Sequence, residues 1–246
     1  MVRLAQLPNP IGHKFGMIGA GHFKGKDFMP LDMGAKVPKL EVMHFDLTGR
    51  TLLPDAPPRN LGLYNEYSLK DEFSNIMRGY DPEINFIDDN TIIDGEFQDE
   101  RYFGHRLNEI DEWLRVEPIT ILDDVCVIGF RGGEFALYPD LFLTKEYWAE
   151  AKVLMLQKNI NMKFEVHTDD EVLAQHFFPD YKVIHDIGIN WRSMRYAKYA
   201  IIANSSFYIL PRLLNGGMTI APRYWARRNT KVWATPQKYY KSFTYI

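Results

Sequence analysis

The sequence predicts an α/β fold whose C-terminal part is a parallel sheet flanked by helices. Three observations predict it. From Ile119 onward, short apolar runs of strand character alternate with helix-like segments, the pattern of a parallel sheet with crossover helices. Two of those runs, 125–130 and 199–204, end in turns rich in glycine, serine and a single arginine, which is where ligands bind on such sheets. The first sixty residues differ in texture, with Pro8, Pro10, Pro30, Pro38, Pro54, Pro57 and Pro58 among many glycines and only short apolar runs. A smaller, divergent N-terminal domain over 1–117 therefore precedes a ligand-binding domain over 118–246.

Taken in order, Val42-Met43-His44-Phe45 reads as one short strand and 52–58 as a loop. Residues 102–116 place Tyr102, Leu107, Ile110, Trp113 and Leu114 on one helical stripe. The remaining strands are expected at 125–130, 163–168, 182–185, 199–204 and 219–221, and helices at 146–158, 170–177, 191–198 and 206–215. The aromatic terminus Tyr239-Tyr240-Lys241-Ser242-Phe243-Thr244-Tyr245-Ile246 is expected to pack back on the body, since so apolar a tail suits solvent poorly. Trp191, Tyr196, Tyr199, Tyr208, Tyr224, Trp225 and Trp233 are candidates for stacking on sugars, and core packing is expected to claim more of them.

Composition bounds the function. At 246 residues, 46% apolar and 25% charged, the chain can bury a large core as an ordinary globular protein. A formal net charge of −3 gives no reason to expect a nucleic-acid partner. No apolar run approaches membrane length, and 1–11 lacks the apolar core of a signal peptide, so no integral membrane segment and a cytoplasmic location are expected. The single cysteine, Cys126, lies in an apolar strand and is expected as a small buried hydrophobe, not a nucleophile. The histidines show no metal-ligand spacing, so neither a metal nor a resident cofactor is expected.

Three turns carry the chemistry. After the strand ending near Asn204, Ser205 and Ser206 are ready caps for a following helix, whose free amides at Ser206 and Phe207 would favour an anion such as phosphate. After 125–130, Arg131 stands among Gly129, Gly132 and Gly133, a donor fork in a turn that a ligand can approach closely. After 163–168 come Asp169 and Asp170, either base-reading carboxylates or caps of the next helix. On one parallel sheet all three turns open on the same edge. Glu134, His167 and His185 are candidates for a general base. The run Gly16-x-x-Gly19-x-Gly21 has the wrong spacing for a dinucleotide fingerprint and reads as a loop.

In these segments the chain resembles the α1,2-fucosyltransferase family and its wider superfamily. Gly95-Glu96-Phe97-Gln98-Asp99-Glu100-Arg101-Tyr102-Phe103 is similar to the family's "G-Y-F-Q-S-E-K-Y-F", and Gly129 to Phe135 aligns with its "H-x-R-x-G-D-Y/F". Met194 to Asn215 resembles the block containing "N-I-I-A-N-S-S-F", Ile220-Ala221-Pro222-Arg223-Tyr224-Trp225 resembles "I-A-P-K-x-W", and Phe164 to Asp170 resembles "F-x-x-x-S-D-D".

The resemblance implies a GT-B-like chain with a Rossmann-like donor domain. It also implies metal-independent, inverting transfer of fucose from GDP-fucose to a glycan acceptor. Arg131 and Glu134 would then be catalytic, and Arg131, Asp169, Asp170, Asn190, Asn204, Ser205, Ser206 and Phe207 would bind the donor. The chain departs from the pattern in four places. Gly129 stands for the motif's histidine, Glu134 for its aspartate and Asn190 for an aspartate that helps to read guanine. The amino-terminal "G-G-L-G-N-Q-x-F-Q" has no clear counterpart. A non-catalytic glycan- or nucleotide-binding descendant, or a transferase with another nucleotide-sugar donor, is the alternative these departures leave open.

Overall fold

A computed structural model describes residues 100–223 and 240–246, apart from the side chains of Glu109 and Trp113, together with Pro82 and the backbone of the remaining strands named below. The expected strand at 42–45, loop at 52–58 and glycine run at 16–21 lie outside the described residues. The chain divides into two compact units, Met1–Arg115 and Val116–Ile246.

In the first unit the strands are β1 (Val2–Leu4), β2 (Phe28–Met29), β3 (Gly62–Asn65), β4 (Ser68–Lys70), β5 (Ile76–Arg78) and β6 (Thr91–Asp94). Four of them form a parallel sheet in the order β2-β1-β6-β3, while β4 and β5 pair antiparallel. The helical stripe expected over 102–116 is interrupted. α1 (Glu100–Phe103) and α2 (Leu107–Trp113) are joined by a 3-10 turn at Gly104–Arg106. Glycine is a poor helix former, and a Cβ at Gly104 would lie 2.7 Å from Glu100 Cγ. Tyr102, Ile110 and Leu114 of the stripe are buried.

The second unit follows the expected alternation. Its elements are β7 (Val125–Phe130), α3 (Lys145–Leu156), β8 (Lys163–Thr168), α4 (Glu171–Phe177), β9 (Lys182–Ile184), α5 (Ile187–Tyr196) and β10 (Tyr199–Ile202). They continue through α6 (Ser206–Asn215), β11 (Met218–Ala221), β12 (Tyr224–Arg228), β13 (Lys231–Pro236) and β14 (Phe243–Tyr245). Six strands form one sheet, β14-β11-β10-β7-β8-β9, every neighbouring pair parallel, and β12 and β13 make a separate antiparallel hairpin. Read from β9 and numbered by appearance, the order is 3-2-1-4-5-6, the Rossmann arrangement. Two successive units, each with a parallel sheet, make the chain α/β, the second unit with the Rossmann strand order.

Two elements differ from expectation for local reasons. α5 begins at Ile187, earlier than expected, because the Asp186 carboxylate accepts from the amides of Gly188 and Ile189, both at 2.9 Å. Gly188 in the first turn hides that start from a propensity reading. The aromatic terminus does more than pack: β14 pairs along β11 with Phe243 opposite Thr219 and closes that edge of the sheet.

Strand β7 sits in the middle of the core, and Cys126, Val127, Ile128 and Phe130 are all 0% exposed. That explains an apolar run without alternation. Burial also raises the Cys126 thiol pKa, in keeping with a packing role. Consecutive strand residues face opposite ways, so Phe130 and Gly129 mark the two faces. Phe130 packs against Phe142, Trp148, Phe177 and Phe178, which puts α3 and α4 on its side. A Cβ on Gly129 would stand 2.8 Å from the Tyr208 ring and 2.9 Å from Met194 Cε, which puts α5 and α6 on the other. The glycine where the resembled motif has histidine is thus a packing requirement of this sheet.

Arg212 locks the second helical layer. It is 0% exposed, and its donors go to Thr219 Oγ1 at 2.9 Å, Met194 O at 2.9 Å, Ala197 O at 2.7 Å and Met218 O at 3.2 Å. The guanidinium thereby satisfies carbonyls at the C-terminal end of α5 and ties them to the start of β11. Burial lowers its pKa to about 10, which still leaves the cation intact at neutral pH. Arg212→Met is expected to destabilise the protein by about 3 kcal/mol or more, because several buried acceptors lose a charged donor together. Arg212→Lys should recover less than half of that loss, since one ammonium cannot span α5 and β11. Urea unfolding of the two variants against wild type checks both statements.

Candidate functional site

The chain runs outward from β7 through β8 to β9, then returns to β10 on the other side of β7. The strand order therefore reverses between β7 and β10, and ligands on such sheets bind in the crevice at the carboxyl ends of those two strands. The turns read as chemistry-bearing stand at this point. Arg131 follows β7, Asn204 to Phe207 follow β10, and Asp169 and Asp170 follow β8 on the adjacent position. Neighbouring strands are about 4.8 Å apart, so three successive strand ends span roughly 10 Å.

On the β10 side, Ala203 N–H donates to Gly129 O at 2.9 Å and holds the turn against β7. Ser205 is extended (φ −138°, ψ 123°) and stands at the cap position of the ten-residue α6, but its side chain makes no capping hydrogen bond. Its carbonyl instead accepts from the amides of Tyr208 at 3.0 Å and Ile209 at 3.1 Å. The amides of Ser206 and Phe207 thus open the helix without a side-chain cap, at its positive end. Ser205 and Ser206 are buried and Phe207 is half-buried, its ring against Trp191.

Tyr208, in the first turn of α6, reaches over the ends of β7 and β8. Its hydroxyl lies 3.1 Å from Phe130 O and 3.0 Å from His167 O, joining the ends of β7 and β8 to the first turn of α6. Burial raises its phenol pKa, and the nearby Arg131 charge acts in the opposite direction.

Arg131 is itself held. One Nη1 hydrogen bond goes to Asp169 Oδ2, Nη2 donates to Glu134 Oε1 at 3.1 Å, and the guanidinium carbon stands 5.1 Å from the centre of the Phe135 ring. Asp169 Oδ1 accepts from the Gly132 amide at 2.8 Å, so one carboxylate binds both the side chain and the backbone of the turn. The glycines answer to this approach. Gly133 has φ +45°, where L side chains are strained, and a Cβ there would lie 2.6 Å from Asp169 Oδ2. A Cβ on Gly132 would lie 2.6 Å from Asp170 Cβ.

The side chains of Asp170, Asn190 and Asn204 are all engaged within the fold. Asp170 is the cap of α4: its Oδ1 accepts from Leu173 N at 3.0 Å and its own amide donates to Thr168 Oγ1 at 2.9 Å. This is the helix-capping reading of that pair. Asn190, expected to face the donor base, is instead interior at 3% exposure. Its Nδ2 donates to Thr168 O at 2.9 Å and its Oδ1 lies 3.0 Å from His167 Nδ1, so its amide joins β8 to α5. Asn204 is also buried and donates to Leu141 O at 3.0 Å. Of the base candidates, His167 is 0% exposed, His185 is exposed beyond the edge strand β9, and Glu134 is exposed beside Arg131. Among the described residues no group of histidine, cysteine, aspartate and glutamate could hold a metal ion, and no helix is long and apolar enough to cross a membrane.

Sequence reasoning missed the Asp169–Arg131 pairing, the Tyr208 tie and Arg212. Only the last had a local signal, an arginine inside the otherwise apolar stretch Tyr208-Ile209-Leu210-Pro211-Arg212-Leu213-Leu214.

No protein-family model matches the chain, and no curated protein does. Among solved structures it is similar to E. coli heptosyltransferase WaaC with ADP, at 12% identity and a TM-score of 0.42, over 99% of this chain and 94% of that one.

His167 makes stability depend on pH. With Asn190 Nδ2 donating to Thr168, Asn190 Oδ1 is the acceptor, so His167 Nδ1 carries the proton and Nε2 is bare. Nε2 has no hydrogen-bond partner among the described residues, the nearest carboxylate oxygen being Glu165 Oε2 at 3.9 Å. Burial lowers the pKa from 6.5 to about 4, against the opposing influence of Asn190 and Glu165. Between those values the unfolded chain takes up a proton that the folded chain refuses. Stability is therefore full above pH 6.5 and falls toward pH 4, by on the order of 3 kcal/mol. Urea midpoints measured across this range check it, and His167→Gln should flatten that part of the profile.

Proposed function

We propose that this protein is a glycosyltransferase using a nucleoside-diphosphate sugar, with GDP-fucose the donor indicated by the sequence resemblance and a glycan hydroxyl the acceptor. The observation that supports it most is the coincidence of the Arg131 turn and the uncapped first turn of α6 at the reversal point between β7 and β10. An anion there meets the positive end of a helix from one strand and a guanidinium from the next.

In the reaction, the acceptor oxygen attacks the anomeric carbon of the donor from the face opposite the diphosphate. The bond from that carbon to the β-phosphate oxygen breaks, so configuration inverts and the nucleoside diphosphate departs. Negative charge grows on the β-phosphate as the sugar becomes oxocarbenium-like. Arg131 and the amides of Ser206 and Phe207 stabilise that charge from fixed positions, in the role a divalent cation takes elsewhere, so the proposed transfer is metal-independent. Ser205 shapes the start of the turn and Asn204 anchors it to the Leu141 carbonyl. Glu134 is solvent-accessible and adjoins Arg131, and in this proposal it accepts the proton lost by the acceptor hydroxyl. Asp170 contributes by holding α4, and Asn190 by holding the His167 layer beneath the site.

The interior position of Asn190 favours a second reading, in which the site binds a nucleotide or glycan without catalysis. Calorimetric titration with GDP, ADP and UDP, joined to a transfer assay with GDP-fucose, tests the proposal. Saturable GDP binding is expected, with Arg131→Ala weakening it by ~10- to 100-fold, the scale of one or two charge-assisted hydrogen bonds, and abolishing transfer. The variant should retain wild-type circular dichroism. No nucleotide binding at millimolar ligand overturns the reading, and binding without transfer favours the second.

A further inference from the structure

The acidic partner of Arg131 has a geometry that neither base recognition nor helix capping explains. Asp169 directs one oxygen to the guanidinium and the other to the Gly132 amide at 2.8 Å. Both are potential anion donors of the same turn, and they come from the side chain of one residue and the backbone of the next. Capping of α4 is performed by Asp170, so Asp169 is not needed there. The glycines at 132 and 133 leave room for the two aspartates, with each absent Cβ position only 2.6 Å from an aspartate atom. Phe135 lies under the guanidinium at 5.1 Å, and Glu134 holds its other arm at 3.1 Å.

We infer that Asp169 is the positioning residue of the anion site: it fixes the Arg131 guanidinium and the Gly132–Gly133 backbone in one arrangement, so that Arg131 meets a diphosphate already oriented. The inference rests on the proposed nucleotide-diphosphate reading. An arginine on a free turn would have to lose rotamer freedom on binding, and a carboxylate anchor removes that loss beforehand. The arginine keeps further donors for a ligand, because a guanidinium has five N–H groups and the two carboxylates engage only part of them. Asp169 thereby acts through Arg131, and it does not touch the ligand.

A double-mutant cycle on the full-length protein tests this. GDP is titrated into wild type, Asp169→Asn, Arg131→Gln and the double variant, with thermal melts confirming that each is folded. Asp169→Asn is expected to weaken GDP binding about tenfold in wild type, the scale of one charge-assisted hydrogen bond. In the Arg131→Gln background the same change should leave affinity unaltered. An equal loss in both backgrounds overturns the inference, since Asp169 would then act independently of Arg131. Tighter binding in Asp169→Asn also overturns it, since the carboxylate would be competing with the ligand for Arg131.

A second readout needs no nucleotide. Amide hydrogen exchange at Gly132 should be slow in wild type and faster in Asp169→Ala, while exchange in the β7 core stays unchanged. Unchanged exchange at Gly132 overturns the anchor. Wild-type protein that binds no GDP overturns the functional reading instead, and the exchange data then decide separately whether Asp169 holds the turn.

Discussion

The hydroxyl of Tyr208, within reach of Phe130 O and His167 O, is the contact on which the arrangement of the site depends. It ties the first turn of α6 to the ends of β7 and β8, and it does so at the reversal point of the strand order. The contact is possible because Gly129 has no side chain: any Cβ there would meet the Tyr208 ring at 2.8 Å. One glycine in the central strand thus decides how closely a helix can lie on the sheet. Where that helix begins decides where its unpaired amides stand. From the other face, the Tyr147 hydroxyl donates to Ile202 O at 2.7 Å and fixes the end of β10.

Arg212 and Arg131 play opposite electrostatic parts in this unit. Arg212 is wholly interior and spends its donors on carbonyls and one threonine, so its charge serves the joint between α5, α6 and β11. Arg131 is partly exposed at the edge and is held by carboxylates and an aromatic ring. The interior guanidinium is bound to the fold on every side, whereas the edge guanidinium retains unused donors and access to solvent. That contrast is the physical ground on which the proposal puts ligand chemistry at Arg131 rather than at Arg212.

Much of the second unit was readable from local pattern. The apolar runs at 125–130 and 199–202 and the mixed run at 163–168 are strands, and Ser206–Asn215 is a helix with a serine at its cap position. Their alternation implied parallel pairing, and parallel pairing put Arg131 and Ser205 on one edge. What could not be read were contacts between residues distant in the chain. Asp169 and Arg131 are 38 positions apart, and no local rule pairs them. Asn190 looked like a ligand-facing polar group, yet it is interior because His167 and the Thr168 carbonyl both needed a partner. The α5 start was hidden by Gly188, and β14 by an aromatic composition that fits a packed tail as well as a strand.

The proposed function requires a diphosphate across the β7 and β10 strand ends, between the Arg131 guanidinium and the first turn of α6. A crystal structure of the protein with GDP tests it most directly. Phosphate oxygens are expected within about 3 Å of the Arg131 side chain and of the amide nitrogens of Ser206 and Phe207. Density for the nucleotide on another edge of the sheet, with Arg131 still bonded only to Asp169 and Glu134, would contradict it.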